Sequence, residues 1–412
     1  MTLVAELELP AFDYTDPSLR GERFHEKMRE LRAGGWLAQG PFGYIVLDRE
    51  AGEFFLRTRE ATFPGMKIAE IFGVSEGPLY EQMRRNILHV NGPDHARLRG
   101  LVNPALSPRA VERYRPAMRG FLEDLLAQAL RADGSSSDGT LRCELVEAFA
   151  KPYPSQVIAS VMGAPLDDAP KLHHWSNWIQ RQFDAVSMAT ERDGIEQAVE
   201  EFYSYAQDLL AARRTDPGDD LISTLIAAEA DGEKLSDVEC INLVFNVLVG
   251  GVDTSQSQLA HAVRLLAEHP DQWALLRENP ELVYRAVQEA LRYEPITPFT
   301  ARITTGEITF RDVIFPAETI VMVCAFTGNR DGETDRDGGD AFDITAEREG
   351  RVLTFGAGVH YCVGANLAKA ELEEALAFLA GQFPGLELDG EPEYESITGI
   401  YGLAKLPVRF KR

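Results

Sequence analysis

Phe355-Gly356-Ala357-Gly358-Val359-His360-Tyr361-Cys362-Val363-Gly364 is the stretch on which the reading of this chain turns. Glycines at 356, 358 and 364 let the backbone turn tightly and come close to a flat ligand. An apolar-polar periodic run from Ala365 to Ala380 follows at once and predicts a helix. Cys362 therefore stands just ahead of a helix N-terminus, where free amides and the positive end of the helix dipole favour a thiolate. A thiolate so placed can ligate a metal, and hydrogen bonds to its sulfur tune that metal's potential.

A lone cysteine is ordinarily a small buried hydrophobe. Cys143, Cys240 and Cys324 read that way, since none has comparable surroundings. For Cys362 the arithmetic goes against it. At an average glycine usage of about 7%, three glycines fall into these fixed slots by chance only about 3 times in 10,000. Phe355, His360 and Cys362 must then fall into place as well. The complete pattern Phe-Gly-x-Gly-x-His-x-Cys-x-Gly resembles the haem-binding loop of the cytochrome P-450 family. The resemblance implies that Cys362 holds the iron of haem b through its sulfur, with Phe355, Gly356, His360 and Gly364 around the cofactor.

The chain has 412 residues, a formal net charge of −24 and a pI near 4.8. So acidic a balance argues against a nucleic-acid binder or a protein of anionic membrane surfaces. Four unclustered cysteines form no disulfide framework and fit a reduced cytoplasm. Met1 to Asp13 is short of basic residues and has no long apolar core, so neither a signal peptide nor a membrane anchor is predicted.

From the N-terminus the pattern predicts an extended start and a helix over Arg20–Ala33 stopped by Gly34-Gly35. A hairpin over Trp36–Leu47 and a short helix over Ala51–Arg59 come next. Phe63 to Asn91 is broken by Pro64, Gly65, Gly73, Gly77 and Pro78 and reads as a loop. Asp133 to Gly139 reads as a flexible connection inside one domain. Helices are predicted over Pro154–Met162, Asp168–Val186, Ile195–Arg214 and Leu221–Glu229. His173 and His174 are helical neighbours pointing about 100° apart, which makes them poor co-ligands for a metal.

Pro93 and Asp94 start a further helix. His95 and Arg99, four apart, share one face of it, and two such donors suit carboxylates. The family resemblance assigns them to the haem propionates. Arg97, Arg99, Arg109, Arg113, Arg115 and Arg119 meet only Glu112 among acids in their stretch, a local reversal of sign. That reads either as scattered solvated arginines or as a docking patch for an acidic electron carrier.

Leu235 to His269 is long and apolar, ends at Pro270 and predicts a buried central helix. Inside it lies Gly250-Gly251-Val252-Asp253-Thr254-Ser255. Two glycines cost roughly 1 kcal/mol each against alanine in a helix. A glycine pair and a threonine bonding back to the Gly250 carbonyl explain a kink. They do not explain an acid in the core, which ordinarily carries a partner or a function. The run resembles the family's oxygen-binding groove. On that resemblance Gly250 and Gly251 open the helix over the haem, Thr254 holds dioxygen by hydrogen bonds, and Asp253 feeds protons.

Glu281–Tyr293 predicts the next helix, with Glu289 and Arg292 on one face. They match a structural ion pair of the family. Its usual third partner, an arginine before a phenylalanine, is replaced here by Ala341 before Phe342. Pro295–Thr300 is extended. A strand pair over Ile303–Phe310 and Ile314–Phe326, an acidic meander over Thr327–Gly350 and a tail of short strands complete the chain. The resemblance implies Arg302 on a propionate. It places Phe72, Leu88, Val247, Ile296, Thr297, Phe299 and Ile400 or Tyr401 against substrate, with Met66, Ile68 and Ile71 as further contacts.

The family's signature runs occur in order, with no repeat and no second domain boundary. The resemblance therefore implies a single cytochrome P-450 domain over residues 1–412. It would be mainly α with a smaller β-rich part, the haem lying between the central long helix and the cysteine loop. The implied function is a haem-thiolate monooxygenase, a cytoplasmic monomer. It activates dioxygen to hydroxylate or otherwise oxidise an apolar small organic molecule of secondary-metabolite or xenobiotic type. Electrons would come from NAD(P)H through ferredoxin and ferredoxin reductase; the chain has no dinucleotide fingerprint, so these are separate chains. Two other readings stay open. One is a haem-thiolate enzyme with another outcome, namely peroxygenase chemistry, aromatic coupling or nitration. The other is a haem sensor or carrier without turnover.

Overall fold

The computed structural model describes residues 1–133, 140–230, 235–331, 339–348 and 350–411. The connection expected over Asp133–Gly139 therefore lies, beyond Asp133 itself, outside the described residues, as does part of the Thr327–Gly350 meander.

Capping side chains set where the helices begin. Asp48 accepts from Ala51 N and starts Arg49–Arg57. Ser236 and Glu239 form a reciprocal capping box that starts Asp237–Gly251. The stretch read as a loop, Phe63 to Asn91, holds two helices, Met66–Ile71 and Pro78–Arg85. Gly65 and Gly77 do interrupt the chain, but as the N-caps of these helices. Pro78 takes the first helical position, where a missing N–H costs nothing. The helix expected over Asp168–Val186 divides into Ala169–Gln180 and Ala185–Thr190. Asp184 turns extended there and caps the second piece through Ser187 N.

The central long helix runs through the core in two pieces, Asp237–Gly251 and Asp253–Glu268, bent at Val252. Val244, Phe245, Leu248, Val263 and Leu266 on it are fully enclosed. The helices Pro152–Met162, Ala169–Gln180, Arg192–Thr215, Val283–Tyr293 and Ala365–Gln382 pack around it. Among the described residues only Asp237–Glu268 is long and apolar enough to cross a bilayer. Its burial against these neighbours accounts for that composition.

The β part has four sheets among the described residues, of which the largest has five strands in the order Leu37–Gly40, Gly43–Val46, Ile320–Cys324, Phe299–Thr304, Ala61–Thr62. Gly43–Val46 runs parallel to Ile320–Cys324 and the other pairs of this sheet are antiparallel. The strand pair expected over Ile303–Phe310 and Ile314–Phe326 resolves into two pairs. Phe299–Thr304 meets Ile320–Cys324, and Ile308–Phe310 meets Val313–Phe315. Arg311 and Asp312, at φ 47° and 62°, close the second pair. Both are left-handed, as a two-residue hairpin turn requires.

Candidate functional site

The cysteine loop closes on itself. Cys362 N donates to Phe355 O at 3.0 Å, drawing the start of the loop back under the sulfur. The helix Ala365–Gln382 then begins with Gly364 as its N-cap. Burial pushes the Cys362 thiol up; the amides of Gly364 and Ala365 and the charges of Arg99 and Lys369 pull it down without overcoming burial. The thiolate preference expected from the helix terminus is thus present but outweighed. A metal cation held at the sulfur would supply the remainder, since a coordinated thiol loses its proton outright.

Cys362 borders a cavity of about 440 Å³, and no other cysteine among the described residues does. Phe355, Gly356 and Gly364 form one part of its wall and Gly250, Gly251 and Thr254 another. At the bend of the central helix Thr254 Oγ1 donates to Gly250 O at 2.5 Å, the back-bond expected from the sequence.

Asp253 does not border the cavity. Its buried carboxyl group turns to the helix Ala169–Gln180. It accepts from Ser176 Oγ at 2.5 Å and Asn177 Nδ2 at 3.3 Å. Burial raises its pKa. Asn177 Oδ1 accepts in turn from Arg181, which pairs with Glu191 at 2.8 Å. A polar chain therefore leads from Asp253 to the surface.

A third part of the wall is cationic. Arg302 is 2% exposed, and its one side-chain hydrogen bond among the described residues goes to Ala301 O. No described carboxylate pairs with it, and burial pulls its pKa down to about 10. Arg99 donates to Tyr361 O at 2.7 Å and likewise meets no described carboxylate. Between them His360 sets Nε2 against Asn91 Oδ1 at 3.0 Å, while its Nδ1 is buried without a partner. His95 lies off the cavity wall, 4.3 Å ring to ring from His360, with Nε2 also unpartnered. Burial pulls both imidazoles down, His360 to about 3. A buried guanidinium without a counter-charge costs several kcal/mol. Buried Arg302 and half-buried Arg99, beside the unpartnered ring nitrogens His360 Nδ1 and His95 Nε2, form a cradle for a ligand that brings negative charge.

A flat metal complex carrying carboxylates, held at its centre by Cys362, fits these walls. Residues 73–284 and 276–393 match the family model of cytochrome P-450. The chain is a cytochrome P-450.

Luteothin monooxygenase of Streptomyces thioluteus is 33% identical over 98% of this chain and 96% of its own. Erythromycin C-12 hydroxylase of Saccharopolyspora erythraea is 34% identical over 84% of each. Among solved structures, CalO2 shares the fold at a TM-score of 0.88 with 32% identity, covering 98% of this chain and 99% of that one. This P-450 is a monooxygenase that binds haem b through a cysteine thiolate.

Phe72, Leu88, Val247, Ile296, Thr297, Phe299 and Ile400 border the cavity, as do Ile68 and Ile71. Met66 and Tyr401 do not. Tyr401 is fully buried, its hydroxyl accepting from Gly21 N at 2.8 Å and its own N–H donating to Ile296 O at 2.7 Å. Ile400 thus turns to the cavity and Tyr401 away from it. Gln180, Phe183, Asn246 and Thr398 also border the cavity; nothing local in the sequence marks them.

Glu289 and Arg292 form a two-pronged ion pair at 2.7 and 2.8 Å, both nearly fully buried. The third partner is Arg348, whose Nη2 lies 3.1 Å from Glu289 Oε1. Ala341 serves through its carbonyl, which accepts from Arg292 at 2.8 Å. An arginine farther along the meander thus does the work expected at position 341.

The arginine patch is reversed in sign only along the sequence. Arg97 pairs with Glu239, Arg113 with Asp219, Arg115 with Glu112, Glu373 and Glu374, and Arg119 with Glu374. Acids, most of them from distant segments, therefore meet four of the six arginines, while Arg99 and Arg109 have no acid partner among the described residues.

Gly358 sits at φ 71°, and a Cβ there would lie 2.4 Å from Leu56 O. Gly358→Ala is expected to strain the loop by about 1–3 kcal/mol and lower the haem-to-protein ratio after purification. A wild-type ratio would show that the loop tolerates the contact.

Proposed function

We propose that this P-450 hydroxylates or otherwise oxidises an apolar small molecule of secondary metabolism. Electrons come from NAD(P)H through a separate ferredoxin and ferredoxin reductase, and the enzyme acts as a cytoplasmic monomer. The observation that carries the reading is the Thr254 hydroxyl, bonded back to Gly250 O where the central helix bends, on the same apolar cavity as Cys362. Relatives named for hydroxylation of erythromycin and of mycinamicin IV support the substrate class.

The bound haem supplies one-electron and dioxygen chemistry, with the Cys362 thiolate favouring O–O cleavage. The chain supplies protons, orientation and a dry wall. Thr254 presents its hydroxyl to the cavity. Asp253, whose burial favours the neutral acid, holds a proton one residue away, and Asn177, Arg181 and Glu191 link that acid to solvent. Arg99 and Arg302 neutralise the cofactor's carboxylates, with His360 and His95 as further donors. Phe72, Leu88, Val247, Ile296, Phe299 and Ile400 exclude water and accept an apolar molecule.

Thr254→Ala tests this. Reductant consumption with a surrogate ferredoxin system is expected to persist while the share ending as hydrogen peroxide rises. Productive proton delivery should fall by about a hundredfold, the scale of one general acid-base contribution. Unchanged peroxide yield rejects the assignment.

A further inference from the structure

The cavity beside Cys362 is walled mainly by apolar side chains, and five amide side chains interrupt them: Asn86, Gln180, Gln182, Asn246 and Gln258. Four of the five leave their oxygen without a hydrogen-bond partner among the described residues. Only Asn86 commits its oxygen, which accepts from Leu88 N at 2.9 Å. The nitrogens explain the asymmetry. Gln182 Nε2 donates to Ile179 O at 2.9 Å, Asn246 Nδ2 to Asn242 O at 2.5 Å, and Gln258 Nε2 to Glu294 O at 3.1 Å. Turning any of these amides over would set its oxygen against a main-chain carbonyl oxygen, and neither can donate. Each is therefore held with its nitrogen to the backbone, and what it has left to offer is an acceptor.

Two of these acceptors come from adjoining elements. Asn246 is half-buried on the central helix, between the buried Phe245 and Val247, so the cavity it borders is where its amide opens. Gln182 is 2% exposed and directly follows the helix Ala169–Gln180, which packs on Asp237–Gly251. Asn246 stands eight positions before Thr254, or roughly 12 Å along the helix at its ordinary rise. An acceptor left unmade in such a place is costly unless a ligand meets it. The ligand's charge is constrained too. No carboxylate borders the cavity, so a cation brought to the amides would lie there without a counter-charge. An anionic group would set its oxygens against theirs. A neutral N–H or O–H suits both acceptors.

We propose that Asn246 and Gln182 determine substrate choice. The molecule oxidised here carries a neutral hydrogen-bond donor on an otherwise apolar frame, and Asn246 Oδ1 and Gln182 Oε1 accept from it. The donor is anchored two helical turns back from Thr254, with the apolar frame reaching along the cavity between them. Oxidation therefore falls on a carbon remote from the donor group. The inference deepens the monooxygenase reading and rests on it for the fate of the bound molecule, but not for its binding.

Equilibrium dialysis of the ferric holoenzyme against dodecanamide and N,N-dimethyldodecanamide tests it, and needs neither reductant nor dioxygen. The two probes share a frame and a carbonyl and differ in their N–H donors. Wild type is expected to bind dodecanamide about tenfold more tightly, the upper scale of one net hydrogen bond. Asn246→Leu should bring the two within about twofold, chiefly by weakening dodecanamide. Gln182→Leu should lower the preference to about threefold. Equal binding of the two probes by wild type overturns the proposal, and so does a preference that survives either substitution undiminished. If Asn246→Leu removes the preference but wild type yields no oxidised product with a surrogate ferredoxin system, the recognition stands and the monooxygenase reading fails. Gln182→Leu lies outside the central helix and keeps the test decisive should Asn246→Leu fail to fold.

Discussion

Cys362→Ser is expected to abolish the thiolate-type spectrum of the reduced carbonyl adduct and to cut monooxygenation by more than the roughly 10–100-fold cost of losing an outer-shell partner of a metal ligand. The reason is positional. No other described cysteine borders the cavity, and a hydroxyl does not replace the electron density of a thiolate. Stability should change little. The free thiol is held in its neutral form by burial, so the loop does not depend on a charged sulfur to fold. Haem content should fall less than activity, because Arg99, Arg302 and His360 remain to hold the cofactor's rim. The carbonyl difference spectrum and the haem-to-protein ratio of the purified variant check both points. A retained thiolate-type band would mean that another group holds the iron.

The largest loss of stability is expected at Glu289. Its carboxylate meets Arg292 in two hydrogen bonds and Arg348 in a third contact, and the Asp343 amide donates to it at 3.0 Å. Glu289→Ala leaves Arg292, 4% exposed, without its counter-charge. Breaking a buried pair in this way costs roughly 3–5 kcal/mol. Removing both charges in Glu289→Leu/Arg292→Leu should cost less than the single change, since no uncompensated ion at position 292 remains. Arg348→Ala, at a more open position, should cost about 1 kcal/mol. Denaturant midpoints of the holoenzymes measure all three. A single-variant loss no larger than that of Arg348→Ala would show that the backbone carbonyls of Gly339 and Ala341 alone hold Arg292 in place.

The parts of the site that were legible in the sequence are those written in one short run. The cysteine loop carries its glycines, its histidine and its sulfur within ten positions, and the bend of the central helix is spelled by Gly250, Gly251 and Thr254. The cationic cradle was legible only through the family pattern, because His95, Arg99, Arg302 and His360 come from three distant segments. Where sequence reasoning went astray, the partner came from far along the chain. Arg97, Arg115 and Arg119 looked all but unopposed until Glu239, Glu373 and Glu374 folded against them. Arg348 was out of view because it reaches Glu289 across 59 positions. Tyr401 and Ile400 could not be told apart before the register of their segment was fixed by the Tyr401 N–H on Ile296 O. Glycine and proline in Phe63–Asn91 marked boundaries correctly, but a boundary can open a helix as well as close one.

Arg302, buried, and Arg99, half-buried at the cavity wall, meet no acid among the described residues. On the proposed reading the polypeptide by itself is an incomplete salt, and the porphyrin's carboxylates are its missing anions. Loading and final consolidation of the core become one event, in which the prosthetic group is bound by the fold and also finishes it.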